Sequence, residues 1–159
     1  MTITYRRYGQ YDGVGEVLLT DLCQPVLAPG LLAKIGYRDP RDIAKVPALK
    51  CTDDNWDWVL WANLMAIPPD QLSYADRFDI DDAALRAAAA GLGMVLSPRL
   101  TIDTELRTGA LVPLPGFEPI ELGRYYLMLG SRRDGIVGKF RNWVLSEIRE
   151  PTAQSLAPN

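Results

Sequence analysis

One stretch decides the fold: Phe78-Asp79-Ile80-Asp81-Asp82-Ala83-Ala84-Leu85-Arg86-Ala87-Ala88-Ala89-Ala90-Gly91-Leu92-Gly93-Met94-Val95-Leu96-Ser97-Pro98. It predicts the end of a strand, then a capped helix, then a second strand. Residues 83–90 are mostly alanine, the residue with the highest helix propensity. Asp79 or Asp81 is expected to cap the helix by accepting backbone N–H groups, and carboxylates in the first turn suit the positive end of the helix dipole.

Two glycines follow the predicted helix of this unit. Gly91 stands where a helix commonly ends on a left-handed residue, which glycine adopts without steric cost. Gly93 is expected to let the next strand pass close to the helix, because it has no Cβ. The stretch therefore predicts a strand–helix–strand unit of an α/β protein.

The rest of the chain alternates strands with helices. Strands are predicted over 2–8, 17–28, 48–51, 72–78, 94–96, 111–114 and 124–129. The second of these is expected as one bent strand or two, interrupted at Pro25, which cannot donate to a central ladder. Helices are predicted over 31–34, 40–45, 54–65, 98–107 and 135–149, with Asp53 or Asp54 capping the third. Such alternation favours an α/β fold with a largely parallel sheet.

Composition narrows the class of function. The chain of 159 residues can bury a core, has a net charge of −3 and contains no histidine. A chain with a net negative charge lacks the stripe of basic side chains that binding to duplex DNA requires. No apolar run approaches the roughly 20 residues that span a bilayer, and the N-terminus has no signal-peptide pattern, so a cytoplasmic location without membrane contact is expected.

An enzymatic function has little support in the sequence. Without histidine the commonest general base is missing, and Ser–His or Cys–His pairs are impossible. No G-x-S-x-G, P-loop or G-x-G-x-x-G motif occurs, so no cofactor is expected. The aspartates at 79, 81 and 82 could cap a helix, contact a ligand or, least favoured, hold a metal, because helix N-termini collect aspartate for electrostatic reasons alone.

The cysteines and aromatic residues favour structural roles. Neither Cys23 nor Cys51 lies in a C-x-x-C motif, so both are expected to be small buried apolar residues rather than a redox switch. The tryptophans at 56, 58 and 61 do not share a narrow stripe, and packing of a helix onto a sheet is favoured over an aromatic cage. Phe140 and Trp143 are expected in the core.

Read as a whole, the run 78–98 resembles the effector-binding domain of LysR-type transcriptional regulators, where F-D-x-x-x-A-x-x-A-A-x-x-G-x-G-x-x-L-x-P ends the second subdomain. Other segments resemble the family in the same order: 3–9, 18–29, 39–43, 56–65, 106–113, 125–127 and 140–144. The resemblance spans about residues 2–149 and is greatest to the glycine-cleavage-activator branch. Neither the N-terminal helix-turn-helix of such regulators nor the first part of their effector domain has a counterpart here.

The resemblance implies a fold and a division of the chain. The expected class is α/β, a Rossmann-like subdomain of the type II periplasmic-binding-protein fold with an incomplete second subdomain. Residues 1–16 are the crossover strand and loop of subdomain I, and 17–97 are the effector-binding subdomain II. Residues 98–149 are the return elements and C-terminal helix of subdomain I, followed by a disordered tail at 150–159.

Ligands of open α/β sheets bind beyond the carboxyl ends of strands, beside helix N-termini. The resemblance implies an effector site there, made by Tyr8, Gly9, Asp79, Ile80, Asp81, Asp82 and Tyr125. For Tyr125, packing in the core remains an alternative. A cationic group of the effector is expected toward the aspartates and any carboxylate toward Arg6, Arg7 and Arg124, which suits an amino-acid-like molecule.

The resemblance also implies partners. A homodimer or higher oligomer is expected, because a domain without its first part leaves strand edges and a helix-docking face uncovered. DNA would be reached only through a helix-turn-helix domain absent from this chain. The alternative is a stand-alone binding or interaction module that pairs with a full-length homologue and does not bind DNA itself.

Overall fold

A computed structural model describes residues 1–128 and 135–149. The strands, as bounded in that part of the chain, are β1 Thr2–Arg7, β2 Glu16–Leu27, β3 Ala48–Lys50, β4 Tyr74–Arg77, β5 Met94–Pro98, β6 Val112–Pro113 and β7 Ile120–Met128. The α-helices are α1 Pro29–Ile35, α2 Trp56–Leu64, α3 Asp81–Ala89, α4 Asp103–Thr108 and α5 Gly135–Arg149; shorter 3-10 turns cover Pro40–Lys45, Pro69–Gln71 and Arg99–Thr101. The expected tail at 150–159 lies outside the described residues.

The chain divides into two compact units. The first contains Met1–Asp21 and Gly123–Asn159, and the second contains Leu22–Leu122. The chain therefore passes between the units within strands β2 and β7. Residues 98–122 belong to the second unit; the subdomain boundaries implied by the resemblance stay a prediction.

The strands of the second unit pair in both directions. Strand β3 is parallel to β4 and to β5, whereas β2 is antiparallel to β5 and to β6. Helices α2 and α3 each return the chain to the same end of the sheet, so the strands they connect are parallel. Because β2 runs against them, the sheet is mixed, and the prediction of a largely parallel sheet is wrong.

Strand β2 is continuous through Pro25, contrary to the expected interruption. Pro25 lies opposite Leu96 of β5. Its carbonyl accepts a hydrogen bond from the Leu114 N–H (2.9 Å), just after the two-residue strand β6. Strand β6, on that side of β2, has only two residues, and they pair with Val26 and Leu27. No hydrogen bond from the nitrogen of residue 25 is therefore required, and proline does not interrupt the strand.

Two tryptophans of α2 anchor the core of the second unit. Trp58 and Trp61 are fully buried, with ring centroids 5.5 Å apart in an edge-to-face arrangement. The Trp58 indole N–H donates to the Leu49 carbonyl of β3 (2.9 Å), which fixes the helix on the sheet. The packing role predicted for these tryptophans is confirmed. Cys23 is buried in the same core, as expected.

The predicted strand–helix–strand unit is present as β4, α3 and β5. Ala84 and Ala88 are fully buried, and Gly91 is left-handed (φ 82°), as predicted. A Cβ at Gly93 would collide with the Pro47 carbonyl and with Leu49, so the close approach is to β3 and the residue before it. The glycine is needed for strand packing rather than for contact with α3.

The helix caps differ from the prediction. The residue before α3 is Ile80, in extended conformation, and no side chain caps the helix. Asp81 is already the first helical residue and therefore does not occupy the cap position. Before α2 stands Asn55 in a left-handed conformation (φ 52°), not Asp53 or Asp54. The cap position of α3 thus lies between the two predicted aspartates, and that of α2 lies one residue after the predicted pair.

The first unit contains β1, β7 and α5. Strands β1 and β7 are antiparallel, with Tyr5 opposite Tyr125 and Arg6 opposite Arg124. Helix α5 has the predicted bounds, but Phe140 and Trp143 are exposed and not in the core. The expectation was wrong because the half-buried residues lie on another face of the helix, at 137, 141, 144, 145 and 148.

Two surface features complete the description. Strand β4 pairs with β3 on one side, stands at the end of the strand order, and all four of its residues are exposed. In the described part of the chain, no helix combines the length and the apolar character that crossing a membrane requires.

Candidate functional site

The N-termini of α2 and α3 lie at the same edge of the second unit's sheet. They follow the carboxyl ends of the parallel neighbours β3 and β4, where Lys50 lies opposite Arg77 in the strand register. The Phe78 N–H donates to the Lys50 carbonyl (2.8 Å), so the two exits from the sheet are tied together. The polar residues that follow these strands are called the acidic edge: Cys51, Thr52, Asp53, Asp54, Asn55, Asp57, Asp79, Asp81 and Asp82.

Three of the predicted ligand residues face solvent at the acidic edge. Asp79 forms an ion pair with Arg77 (3.1 Å), which also pairs with Asp53 (2.8 Å). Asp82 pairs with Arg86 one turn further along α3. Ile80 is an exposed apolar side chain between them. Arg77 thus compensates part of the negative charge and links the loops before α2 and α3.

Asp81 has a different neighbour. The Asp81 carboxylate lies near the Cys51 thiol. Burial raises the pKa of Cys51 to about 12, and the negative charges of Asp81 and Asp57 add to the effect. A thiol held protonated is a poor nucleophile, so the geometry favours a structural role for this half-buried cysteine.

Asp57 is the residue of this edge that sequence reasoning missed. It is 6% exposed, in the first turn of α2, and its Oδ1 accepts a hydrogen bond from Thr52 Oγ1 (2.9 Å). Burial raises the pKa of Asp57, while hydrogen bonds from the backbone N–H of Trp58 and from the Thr52 hydroxyl lower it. The available signal was an aspartate directly before a core tryptophan in a mostly apolar helix.

The acidic edge is rich in acceptors but does not form a metal centre. Among residues 1–128 and 135–149, no group of three or more acidic, cysteine or histidine side chains is arranged to hold a metal ion. The side-chain oxygen of Asn55 is buried there without a hydrogen-bond partner. Carboxylates and an amide oxygen together suit a ligand that brings donors, such as an ammonium group.

The remaining predicted site residues lie in the first unit. Tyr8 is exposed and edge-on to Tyr11, with ring centroids 6.4 Å apart. Gly9 has φ 79° in the turn that follows β1, which requires glycine or a strained residue. Tyr125 is half-buried, with its ring centroid 4.9 Å from that of Tyr5 on the opposite strand. Both uses weighed for Tyr125, packing and ligand contact, are compatible with this placement.

Two arginines share one face of the β1–β7 pair. Arg6 lies over the Tyr126 ring (5.6 Å from the guanidinium carbon to the ring centroid) and forms an ion pair with Asp12. Arg124 lies over the Tyr11 ring (4.6 Å). The tyrosine rings thus position both guanidinium groups on this face of the first unit.

The structure therefore groups the predicted site residues into two sets. Tyr8, Gly9 and Tyr125 lie in the first unit, and residues 79–82 lie in the second. Tyr8 and Gly9 follow the end of β1, Tyr125 lies within β7, and residues 79–82 lie at the start of α3. Participation of these residues in one ligand site remains a prediction.

Comparison with known proteins identifies the family. The model of the LysR substrate binding domain matches residues 1–149. The HTH-type transcriptional regulator PerR of Escherichia coli strain K12 is 32% identical over 136 residues, which is 82% of this chain and 43% of that protein. The AhcY transcriptional activator HvrB of Rhodobacter capsulatus is 29% identical over 143 residues, 87% of this chain and 47% of that protein.

The fold agrees with that family. The AmpR effector binding domain from Citrobacter freundii superposes with a TM-score of 0.69 at 26% identity, covering 93% of this chain and 74% of that domain. The chain spans less than half the length of the two curated regulators. On this evidence the chain belongs to the LysR substrate-binding domain family and has the α/β fold of the periplasmic-binding-protein-like type II class.

Proposed function

We propose that this chain is the effector-sensing regulatory part of a LysR-type transcription regulator, which binds a small molecule and associates with itself. The family match and the naming of both curated relatives as transcriptional regulators support a regulatory role. The absence of histidine from the sequence supports a binding function rather than an enzymatic one. Such a domain acts on DNA through a helix-turn-helix domain, and its expected location is the cytoplasm.

One observation carries the ligand assignment: two helices begin at the carboxyl ends of parallel neighbours β3 and β4, and acceptors collect there. Ligands of α/β sheets bind at such edges. We assign Asp79, Ile80, Asp81 and Asp82 to the effector site on this basis, and Tyr8, Gly9 and Tyr125 by their resemblance to the family's crossover segments.

The chemistry of the effector follows from the two surfaces. The acidic edge attracts an amino or other donor-rich group, since the helix dipole offsets only about half a charge. Arg6 and Arg124, held over tyrosine rings, attract a carboxylate. An amino acid or small peptide-like molecule carries both groups. The expected kinship with the glycine-cleavage-activator branch agrees with such an effector.

The test is a thermal-shift screen of the purified chain against amino acids, aromatic acids and sugars. An amino-acid-like compound should raise the melting temperature, and Asp81→Ala should reduce that shift. Asp103→Ala is the matched control, because Asp103 also begins a helix of the second unit and is exposed. If a dianionic acid stabilises the chain and Asp81→Ala strengthens the effect, the proposal fails.

A second candidate function is a stand-alone module that pairs with a full-length homologue without contacting DNA itself. The exposed Phe140 and Trp143 of α5 favour it, because they offer an apolar surface to a partner. Both candidates predict no sequence-specific DNA binding by this chain alone, given its net charge of −3. Sub-micromolar, sequence-dependent binding in an anisotropy titration at moderate salt would contradict both.

A further inference from the structure

A pocket that the proposed function does not use lies in the second unit, between the end of α1 and the 3-10 turn Pro40–Lys45. Its volume is about 390 Å³, which is enough for a small metabolite. It is lined by three cations, two carboxylates and one apolar side chain, namely Arg38, Arg41, Lys45, Asp39, Asp42 and Ile35. We call it the turn pocket.

The walls of the turn pocket are anchored to the rest of the second unit. The Tyr37 hydroxyl donates to the Pro115 carbonyl (2.8 Å), and Ile43 is fully buried in the core. Pro40 packs closely against Gly116, where an added Cβ would lie 2.5 Å from the proline ring. The pocket is therefore preformed, and binding a ligand there requires little ordering of the chain.

Both carboxylates of the turn pocket are already engaged by donors of the same segment. Asp39 accepts hydrogen bonds from the Arg41 backbone N–H (2.9 Å) and from its guanidinium (3.0 and 2.7 Å). Asp42 accepts from the Arg38 backbone N–H (2.8 Å) and forms an ion pair with Lys45 (2.7 Å). The bonds from Arg41 lower the pKa of Asp39 to about 2, and the bond from Lys45 lowers the pKa of Asp42. Both carboxylates stay ionised and have little capacity left for a cationic ligand.

The cations of the turn pocket, by contrast, have donors to spare. A guanidinium carries five N–H groups, and Asp39 engages two nitrogens of Arg41, whose side chain is 91% exposed. Arg38 is exposed, and within residues 1–128 and 135–149 no ion pair or hydrogen bond engages its guanidinium. Three cations beside two carboxylates leave a net positive charge here, in a chain whose net charge is −3. The pocket therefore suits an anion.

We propose that the turn pocket binds a small molecule through a phosphate group, with Arg38 as the main contact and Arg41 and Lys45 as supporting donors. The planar guanidinium matches two phosphate oxygens at once. A phosphate monoester carries up to two negative charges and three acceptor oxygens, so it satisfies several donors together. Ile35 supplies an apolar wall for the organic part of the molecule.

This site goes beyond the proposed function and does not depend on it, because none of its residues belongs to the acidic edge or to the predicted effector residues. Its cations are exposed, so salt screens their attraction for an anion. We therefore expect a dissociation constant of about 0.1–1 mM for inorganic phosphate at low ionic strength, and weaker binding as salt is added.

Isothermal titration calorimetry of the full chain with inorganic phosphate tests the proposal. Binding to one site is expected, and Arg38→Gln should weaken it at least about tenfold, since the charge-assisted bonds of the guanidinium are lost. Arg107→Gln is the matched control, because Arg107 is an exposed arginine of the same unit that pairs with Asp103 outside the pocket. It should leave the dissociation constant unchanged. Far-UV circular dichroism checks that the variants fold.

Two further comparisons separate phosphate recognition from a general attraction of anions. Arg38→Lys keeps the charge without the planar fork, so it should bind phosphate more weakly than the parent and more tightly than Arg38→Gln. Acetate at the same ionic strength should bind at least several-fold more weakly than phosphate, because it has fewer acceptor oxygens and one charge.

Four results would overturn the proposal. The first is no binding at about 10 mM phosphate. The second is equal weakening by Arg38→Gln and Arg107→Gln, which would show only a general effect of charge. The third is binding that Arg38→Gln leaves unchanged, which would place the phosphate elsewhere. The fourth is acetate binding as tight as that of phosphate. The amino-acid screen with Asp81→Ala is scored separately, so failure of the effector assignment and failure of this site are distinguished.

Discussion

The Asp81 carboxylate lies near the Cys51 thiol and helps to raise the thiol pKa, which couples the residue after β3 to the first residue of α3. This proximity connects the two loops of the acidic edge through a side chain. It also places an uncharged, polarisable group beside a carboxylate that is assigned to the effector. Reactivity of the thiol therefore reports on the state of Asp81.

Cys51 should resist alkylation at neutral pH. Its pKa of about 12 keeps the thiol protonated, so iodoacetamide should react slowly below pH 9 and faster as the pH rises. Because the folded pKa lies above the unfolded value, the stabilising contribution is present below pH 9 and is lost toward pH 12. Mass spectrometry of alkylated peptides gives the rates, with buried Cys23 as an internal reference.

Asp81→Asn should make Cys51 more reactive at a given pH. The substitution removes one of the negative charges that raise the thiol pKa, while burial, the larger cause, remains. We expect a partial fall in pKa rather than a return to its ordinary value. An unchanged rate profile in this variant would show that Asp81 does not act on the thiol.

Asp57→Asn should leave the protein as stable as the parent at pH 7, or slightly more stable. Burial raises the Asp57 pKa, so its charged form is disfavoured, and asparagine keeps an oxygen for Thr52. Since the raised pKa favours the protonated form, the difference between the two proteins should shrink as the pH falls. Asp57→Ala should lower the free energy of unfolding by about 1–2 kcal/mol, because the Thr52 hydroxyl and the backbone N–H of Trp58 lose their acceptor. Urea unfolding at pH 7 and pH 4 measures both.

Gly93→Ala should destabilise the protein more than Gly91→Ala. At Gly93 the added Cβ collides with the Pro47 carbonyl, a backbone atom that cannot move aside, and we expect a loss of at least about 2 kcal/mol. At Gly91 there is open space, and the cost of about 1 kcal/mol comes from the left-handed backbone alone. Equal unfolding midpoints in denaturant for the two variants would contradict this ranking.

Tyr5→Phe should lower stability by about 1.5 kcal/mol. The Tyr5 hydroxyl donates to Asp21 Oδ2 (2.9 Å), a buried carboxylate of the same unit, and hydrogen bonds to charged groups contribute more than neutral ones. Tyr74→Phe is the control, since Tyr74 is exposed on β4. Thermal unfolding followed by circular dichroism compares the three proteins, and a loss as large in the control would refute the assignment.

The elements that the sequence predicted best depend on local properties. Helix α3 follows from its alanine content, and the end of α3 follows from Gly91, because helix propensity and left-handed glycine act within a few residues. The bounds of α5 were predicted from its amphipathic pattern. The family resemblance supplied the fold class, which periodicity alone would have left as a general α/β protein.

The features that failed depend on neighbours distant in sequence. Whether Asp81 caps α3 or begins it depends on where the turn from β4 places the backbone. Whether Trp143 is buried depends on which face of α5 the rest of its unit covers. Burial of Asp57 depends on Thr52 and on the strand beside it. A single sequence contains no direct record of such contacts.

Strand β4 has a consequence for the physical state of the protein at high concentration. An exposed strand at the end of a sheet is a template for the addition of further strands, which leads to filaments. Here half of the strand is charged, with Asp76 and Arg77 adjacent, and Arg77 is held by ion pairs to Asp53 and Asp79. Adding another strand would require these ion pairs to be dehydrated. The same arginine that neutralises the acidic edge thus keeps this border of the sheet from polymerising.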